Sequence, residues 1–437
     1  MLEALLARRD TVFMTGGQIT DWFIAPSKRP TRLIKEVLGH PSGSGFANQS
    51  NPIKIGGQFC LTGPLTPFGL WGHRAAEAAI KKINAEGGIK GRKIEYIVED
   101  TETNVQTGIR KMRKLIEKDE VDFVVGSVHS AINIASAPIA QEARVVYFGY
   151  GTAVETTEDK GNRWIFRGMT NMRTHMKALV MGGLGRLGKR WYTMAADYAW
   201  GHSFAAETAR YVKESGGTMV GEKFAPIGTA DFVPYISGLN PDAIDVICIG
   251  FFARDARTII TQIHQLFGGK VRVTGNVGVI GGLKPEDLGP AADGIWYVTQ
   301  YPHLSEYVRP ELKSFDKEYR RLVGIDAQGF GKDGSVVTVS FCYTPWEHVH
   351  YIKHGIERSG WKSKKDNPGF IQALEGLQVK ASLDFPQGDK LLRAQDHQVF
   401  HDQYIERIEQ GKIVVKEYIP KERATYEPKV DYTKEKV

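Results

Sequence analysis

Cysteines, charge clusters and long apolar runs are all scarce in this chain. Cysteine occurs only at Cys60, Cys248 and Cys342. No pair forms a CxxC motif, and an odd number in isolated contexts excludes a closed disulfide framework, which leaves buried structural thiols. No run reaches the roughly 18 apolar residues that a membrane span needs, and the first residues show no apolar core of a secretory signal. The formal charge of +7 is spread along 437 residues, and its densest basic run, Lys362 to Lys365, is short. Without aromatic and basic residues interleaved on one face, that charge describes solvated surface and not a nucleic-acid footprint. Catalytic signatures are missing too: there is no GxSxG elbow, no GKS/T phosphate loop and no HExxH helix.

Two near-motifs fall short of the chemistry they imitate. Gly183-Leu184-Gly185-Arg186-Leu187-Gly188 matches GxGxxG, but a helix precedes it and a strand follows. A dinucleotide site needs the reverse order, because the pyrophosphate sits on a helix N-terminus, so these glycines read as a helix C-cap and turn. His348, His350 and His354 offer an i, i+4 pair without a carboxylate placed as third ligand. They read as solvated helix residues, and neither a metal nor a cofactor is expected.

What is present begins with Ile53 to Asp100. Ile53 and Ile55 alternate as a short strand, and a loop rich in Gly, Pro and Thr follows. Ala76, Ala79, Ile80 and Ile83 then share one helix face, Gly87 and Gly88 stop the helix, and Lys93 to Glu99 alternates as a second strand. The β-loop-α-β pattern repeats through VDFVVGS (Val121 to Ser127) and VVYFGYGTA (Val145 to Ala153), which predicts a parallel sheet with helices on both faces. A second βα set starts near Met172 and runs to GIWYVTQY (Gly294 to Tyr301). Charged and bent helices follow over Pro310 to Val323 and Ser335 to Ser359; lacking a sheet of their own, they most simply return to the first set. The final hairpin turns at Gln410-Gly411, and the polar tail beyond Tyr418 is expected to be loosely held. With 42% apolar and 24% charged residues, the chain is a folded α/β protein with two Rossmann-like lobes.

Open parallel sheets bind ligands at the carboxyl ends of their strands. Three first-lobe loops lie there: Thr62 to Pro64, Ser127 to Ser130, and Tyr150 to Thr152. The latter two place hydroxyls and free N–H groups near helix N-termini, which suits a carboxylate, although the same Ser130 and Thr152 serve equally as plain helix caps. Phe68, Trp71, Tyr150, Trp200, Phe251 and Phe252 fall in corresponding loops of both sets and together suggest an apolar cleft wall.

From about Ile53 to Ile419 the chain resembles the type I periplasmic binding proteins, specifically the branched-chain amino acid and amide receptors of ABC importers. The carriers of the resemblance are TGPLTPFG, NAEGGIKGRKIEYIVEDTETN, VDFVVGSVHS, the DYAWG turn and FVPYISGLNPDAIDVICIG. It implies that Ser130 and Thr152 bind a ligand carboxylate beside Val128 and His129, that Trp200 covers the ligand, and that Phe68, Tyr150 and Phe252 form the wall. In the amino-acid receptors an acidic residue near Gly275 holds the ammonium; here Val277 stands at that place. A buried ammonium without a carboxylate partner costs several kcal/mol, which argues against a standard α-amino acid. The usual first-lobe disulfide is also missing, with Thr103 and His129 near its positions.

The resemblance further implies three hinge crossings, near Gly168 to Asn171, Val298 to Tyr301 and Leu377 to Lys380. Residues 52–169 and 300–378 would form lobe one, 170–299 and 379–420 lobe two, 421–437 a polar tail, and 1–51 an extension outside the fold. The expected function is that of a periplasmic solute receptor, not an enzyme, which closes on a small carboxylate or amide and delivers it to membrane permease and ATPase subunits. A cytosolic ligand-sensing regulator of the same fold, or an α/β enzyme, are the rival readings.

Overall fold

The first strands form where the alternation places them. The computed structural model describes residues 51–181 and 184–437. The extension expected over 1–51, but for Asn51, and Gly183 of the GxGxxG match lie outside these residues. Strand β1 (Ile53–Phe59) pairs with β2 (Ile94–Asp100) and β3 (Phe123–Gly126); β4 (Val146–Gly149) and β5 (Ile165–Arg167) complete a five-stranded sheet in the order β2-β1-β3-β4-β5. All its pairs are parallel. The central strands FVVG and VYFG are wholly buried, as expected for a sheet covered on both faces.

The second sheet has seven strands. Strands β6 (Arg190–Ala196), β7 (Thr218–Ala225), β8 (Val246–Gly250), β9 (Arg272–Asn276) and β10 (Trp296–Thr299) run parallel in the order β7-β6-β8-β9-β10. The hairpin β14 (Gln403–Glu409) and β15 (Lys412–Ile419) adds antiparallel to β10. Its turn sits at Gln410-Gly411, where both φ values are positive (52° and 75°), the backbone that a two-residue hairpin turn demands.

The helix Val339–Ser359 runs through Pro345 and packs on Thr66–Ala85 and Asn367–Leu374, beside the first sheet. The third crossing differs from the expected one. Strands β11 (Gln378–Val379), β12 (Lys390–Leu392) and β13 (Val399–Phe400) form a small sheet of their own, which joins β5 through an Arg167–Gln398 bridge. The chain therefore enters the second sheet at His401 to Gln403, not at Leu377 to Lys380; strands two or three residues long carry no period that a sequence reading can place.

The tail also departs from expectation. Asn171 donates to the Tyr426 hydroxyl, the Tyr432 hydroxyl donates to the Glu158 carbonyl, and Arg163 donates to the Glu435 carbonyl. Polar side chains that looked solvated are satisfied here by the body of the protein. His348 and His350 are likewise buried and not solvated. The His348 Nε2 accepts the Gly168 N–H at 3.1 Å, and the His350 Nδ1–H donates to the Trp346 carbonyl at 2.8 Å. Burial pushes the two imidazoles down to about 3 and about 4.

Candidate functional site

The loops at the carboxyl ends of both sheets meet across a cleft. Leu65, Phe68, Val128, Thr152 and Phe341 line it from the first lobe, and Tyr198, Trp200, Phe252, Asn276 and Gly278 from the second. The lobes are closed: the space left is about 20 Å³, room for roughly one water. Phe68 stands on the first wall, edge-on to Phe252 with centroids 6.0 Å apart and to Phe341 at 5.0 Å. Trp200 meets Phe252 at 5.9 Å, and Tyr198 meets His129 at 5.0 Å. The Phe68–Phe252 pair spans the two lobes, and edge-to-face packing of that kind favours their approach beyond burial alone, whereas the Phe68–Phe341 and Trp200–Phe252 pairs each brace one wall.

Each wall is held from behind. Phe68 and Leu65 open the helix Thr66–Ala85, whose Gly69 lets it seat on the end of β1: a Cβ there would lie 2.1 Å from the Cys60 carbonyl oxygen. The two hydroxyl-bearing loops are laced together by Asn133, which donates to the Ser127 carbonyl and accepts the Gly151 N–H at 2.9 and 2.7 Å. Gly151 passes so close to Ser130 that a Cβ would lie 2.7 Å from its Cα. Arg167, fully buried, donates to the carbonyls of Gly151, Ala153 and Val154 and so fixes the loop that carries Thr152. On the second lobe Tyr198 and Phe252 are the residues from which the helices Ala199–Glu214 and Ala253–Phe267 start.

Of the nine expected site residues, Phe68, Val128, Thr152, Trp200 and Phe252 come together in the cleft. Ser130 lies one step behind, its hydroxyl accepting the Ala153 N–H at 3.1 Å, at the start of the helix Ser130–Glu142. His129 caps that helix, its Nδ1 3.4 Å from the Ile132 N–H, with its ring against Tyr198. Val277 is buried beside the cleft without lining it. Tyr150 turns away into the first lobe, where its hydroxyl faces Gly72 and its ring packs on Phe59 and His348. Sequence reasoning missed Leu65, Tyr198, Asn276, Gly278 and Phe341. Tyr198 was within reach, since it stands in the same DYAWG turn as Trp200. Phe341 was not, because only the return of the helix Val339–Ser359 brings it to the cleft.

The electrostatics are those of a neutral site. None of the lining residues is acidic or basic. Burial pushes the neighbouring His129 down to about 4, so its ring is uncharged at neutral pH. An anion here would meet hydroxyls, backbone N–H groups and the N-terminus of the helix Ser130–Glu142, and no full positive charge.

Comparison with known proteins gives a consistent picture. Residues 52–412 match the family model described as periplasmic binding protein. The Leu/Ile/Val-binding protein homolog 7 of Brucella abortus is 27% identical over 300 residues, which cover 64% of this chain and 73% of that protein. A solute-binding protein of an R. palustris ABC transporter, solved in complex with benzoate, superposes with a TM-score of 0.70 at 20% identity, over 84% of this chain and 97% of that one. A leucine-binding protein of Thermotoga maritima superposes with a TM-score of 0.71 at 19% identity, over 85% and 99%. At these identities the two structures establish the fold, a pair of α/β lobes.

Proposed function

The chain belongs to the periplasmic binding protein family, and within it we propose a solute receptor of an ABC importer that closes its lobes on a small carboxylate or amide with an aromatic or branched apolar body. The observation that carries this reading is the cleft itself: aromatic walls from both lobes around Thr152, with no charged side chain among the lining residues. The relatives named for leucine, isoleucine and valine and the neighbour solved with benzoate support an apolar ligand bearing a carboxylate. In this reading Thr152 anchors the carboxylate while Ser130 sets the loop behind it through the Ala153 N–H, Phe68, Trp200 and Phe252 enclose the body, and the crossings at Gly168 to Asn171, Val298 to Tyr301 and His401 to Gln403 act as the hinge. The receptor works in the periplasm and hands its ligand to permease and ATPase subunits; no helix of the described residues is long and apolar enough to cross a membrane.

A thermal-shift screen of amino acids, aromatic acids, 2-oxo acids and amides tests the proposal. A true ligand at 100 times its Kd stabilises the protein by about 2.7 kcal/mol, a clear rise in Tm. Stabilisation by none of these classes at millimolar concentration would sink it. Mass spectrometry of small molecules that co-purify with the protein is the independent check.

A further inference from the structure

Asn276 closes β9 on the second wall of the cleft and is 1% exposed. Its Oδ1 accepts the Gly278 N–H at 3.0 Å. That bond fixes the amide orientation, since a flipped amide would set one N–H against another. The Nδ2 that remains is buried and has no hydrogen-bond partner among the described residues. A buried donor left unmade is costly, and such groups mark places where something else completes the site. The residues that share the cleft with it offer a ligand no carboxylate.

Resting on the receptor reading above, we infer that Asn276 is the specificity-determining donor of the second lobe, and that the ligand is a carboxylic acid with a second oxygen acceptor, such as a 2-oxo acid, and not a free amine. The carboxylate meets Thr152 on the first lobe and the second oxygen meets the Asn276 Nδ2 on the other, so one molecule bridges both walls only when the lobes close around it, standing further apart than in the arrangement described above, whose 20 Å³ is too small for such an acid. An ammonium at the same place would face the Nδ2–H donors. It would lose its hydration without gaining a carboxylate partner.

Titration calorimetry with matched pairs tests this directly: 4-methyl-2-oxopentanoate against leucine, and phenylpyruvate against phenylalanine. The two acids of each pair share a carbon skeleton and differ in C=O against ammonium. In the wild-type protein the oxo acid of at least one pair binds about 30-fold or more tighter than its amino acid. Asn276→Ala weakens the oxo acid about tenfold. Asn276→Asp keeps the oxygen that caps Gly278, so it guards against a folding artefact, and it turns the preference toward the amino acid. Equal or tighter binding of the amino acids by the wild-type protein overturns the inference and leaves the receptor reading standing. So does binding confined to carboxylates without a second oxygen, or an Asn276→Ala protein of unchanged Tm that holds the oxo acid as tightly as before. If nothing in the wider screen binds at all, it is the receptor reading that fails, and the inference with it.

Discussion

The cleft and the hinge-side face behind it are both buried, yet they are built from opposite materials. In the cleft, aromatic rings meet around a few neutral polar groups. On the hinge side, Arg173 donates to Glu158 of the first lobe and to Glu207 of the second, with all three side chains nine-tenths or more buried. Its guanidinium also lies over the Tyr426 ring of the tail at 4.7 Å. Thr170 adds a hydrogen bond of 3.0 Å to Gln300, and Gln398 one of 2.7 Å to the Met169 carbonyl. Directional, charge-assisted bonds hold one geometry; apolar contact tolerates sliding and exchange. In the proposed receptor a division of labour follows: the polar face fixes how the lobes are joined, and the cleft leaves its surface to be traded between lobe and ligand.

The sharpest way to break this contrast is Arg173→Met. It leaves Glu158 and Glu207 buried with their shared cation gone and only the more exposed Lys429 and Arg210 beside them, at 3.4 and 3.3 Å, which costs about 3 kcal/mol, the low end for a broken buried pair. Chemical denaturation measures it, and a loss under about 1 kcal/mol would mean that the cluster is not the clamp described. In the cleft, Gly281→Ala should act by geometry. A Cβ at Gly281 would lie 2.6 Å from the Phe68 ring, which is itself wedged against Phe252 and Phe341 and cannot give way. The lobes then stay parted, with a larger radius of gyration in small-angle scattering and an overpacking cost of about 1–3 kcal/mol. An unchanged radius of gyration would show that the ring has somewhere else to go.

Near the second crossing the polar pairing is incomplete, and there the pH dependence should appear. Glu406 is fully buried beside Tyr297; its Oε1 accepts the His303 N–H at 2.8 Å, while its Oε2 has no hydrogen-bond partner among the described residues. Burial pushes its carboxyl from 4.5 up to about 7. A carboxyl raised on folding contributes stability that is whole below pH 4.5 and is lost as pH rises through about 7. Glu406→Gln keeps the acceptor and removes the titration, so it should be more stable than wild type at pH 8 by on the order of 2 kcal/mol. The difference should shrink toward zero at pH 5. A Tm difference that does not change between pH 5 and pH 8 would refute the assignment.

What the sequence made legible follows the same division. The parallel sheets, the Gln410-Gly411 turn and four of the cleft residues, Phe68, Thr152, Trp200 and Phe252, came from periodicity, turn chemistry and strand-end position, all of which are local; Val128 came only with the family resemblance. Tyr150 was misplaced because a strand-end aromatic in a doubly covered sheet can turn to either buried side. Asn276 was hidden because a neutral amide carries no motif; its meaning lies in an orphaned N–H that only three-dimensional neighbours reveal. The hinge-side cluster was invisible for a related reason, since Glu158, Arg173, Glu207 and Tyr426 are remote in sequence and each reads alone as a solvated residue.

The tail shows how little energy separates the two readings of such a segment. By composition it is polar and free, but Tyr432 is buried, its N–H donates to the Gln395 carbonyl at 2.7 Å and its hydroxyl to the Glu158 carbonyl. Glu158 is the residue that Arg173 holds, so the tail leans on the same cluster that joins the lobes. Tyr432→Phe deletes only the hydroxyl and leaves the ring on His397, 5.8 Å away. It should cost about 1 kcal/mol, the ordinary worth of one hydrogen bond whose carbonyl partner is left behind. It should also raise protease nicking of the last residues well before the lobes unfold, because the tail is the first part to open when one of its anchors goes. If nicking and stability both match wild type, the tail is held by its backbone bonds and ring packing alone, and the hydroxyl on Glu158 contributes nothing.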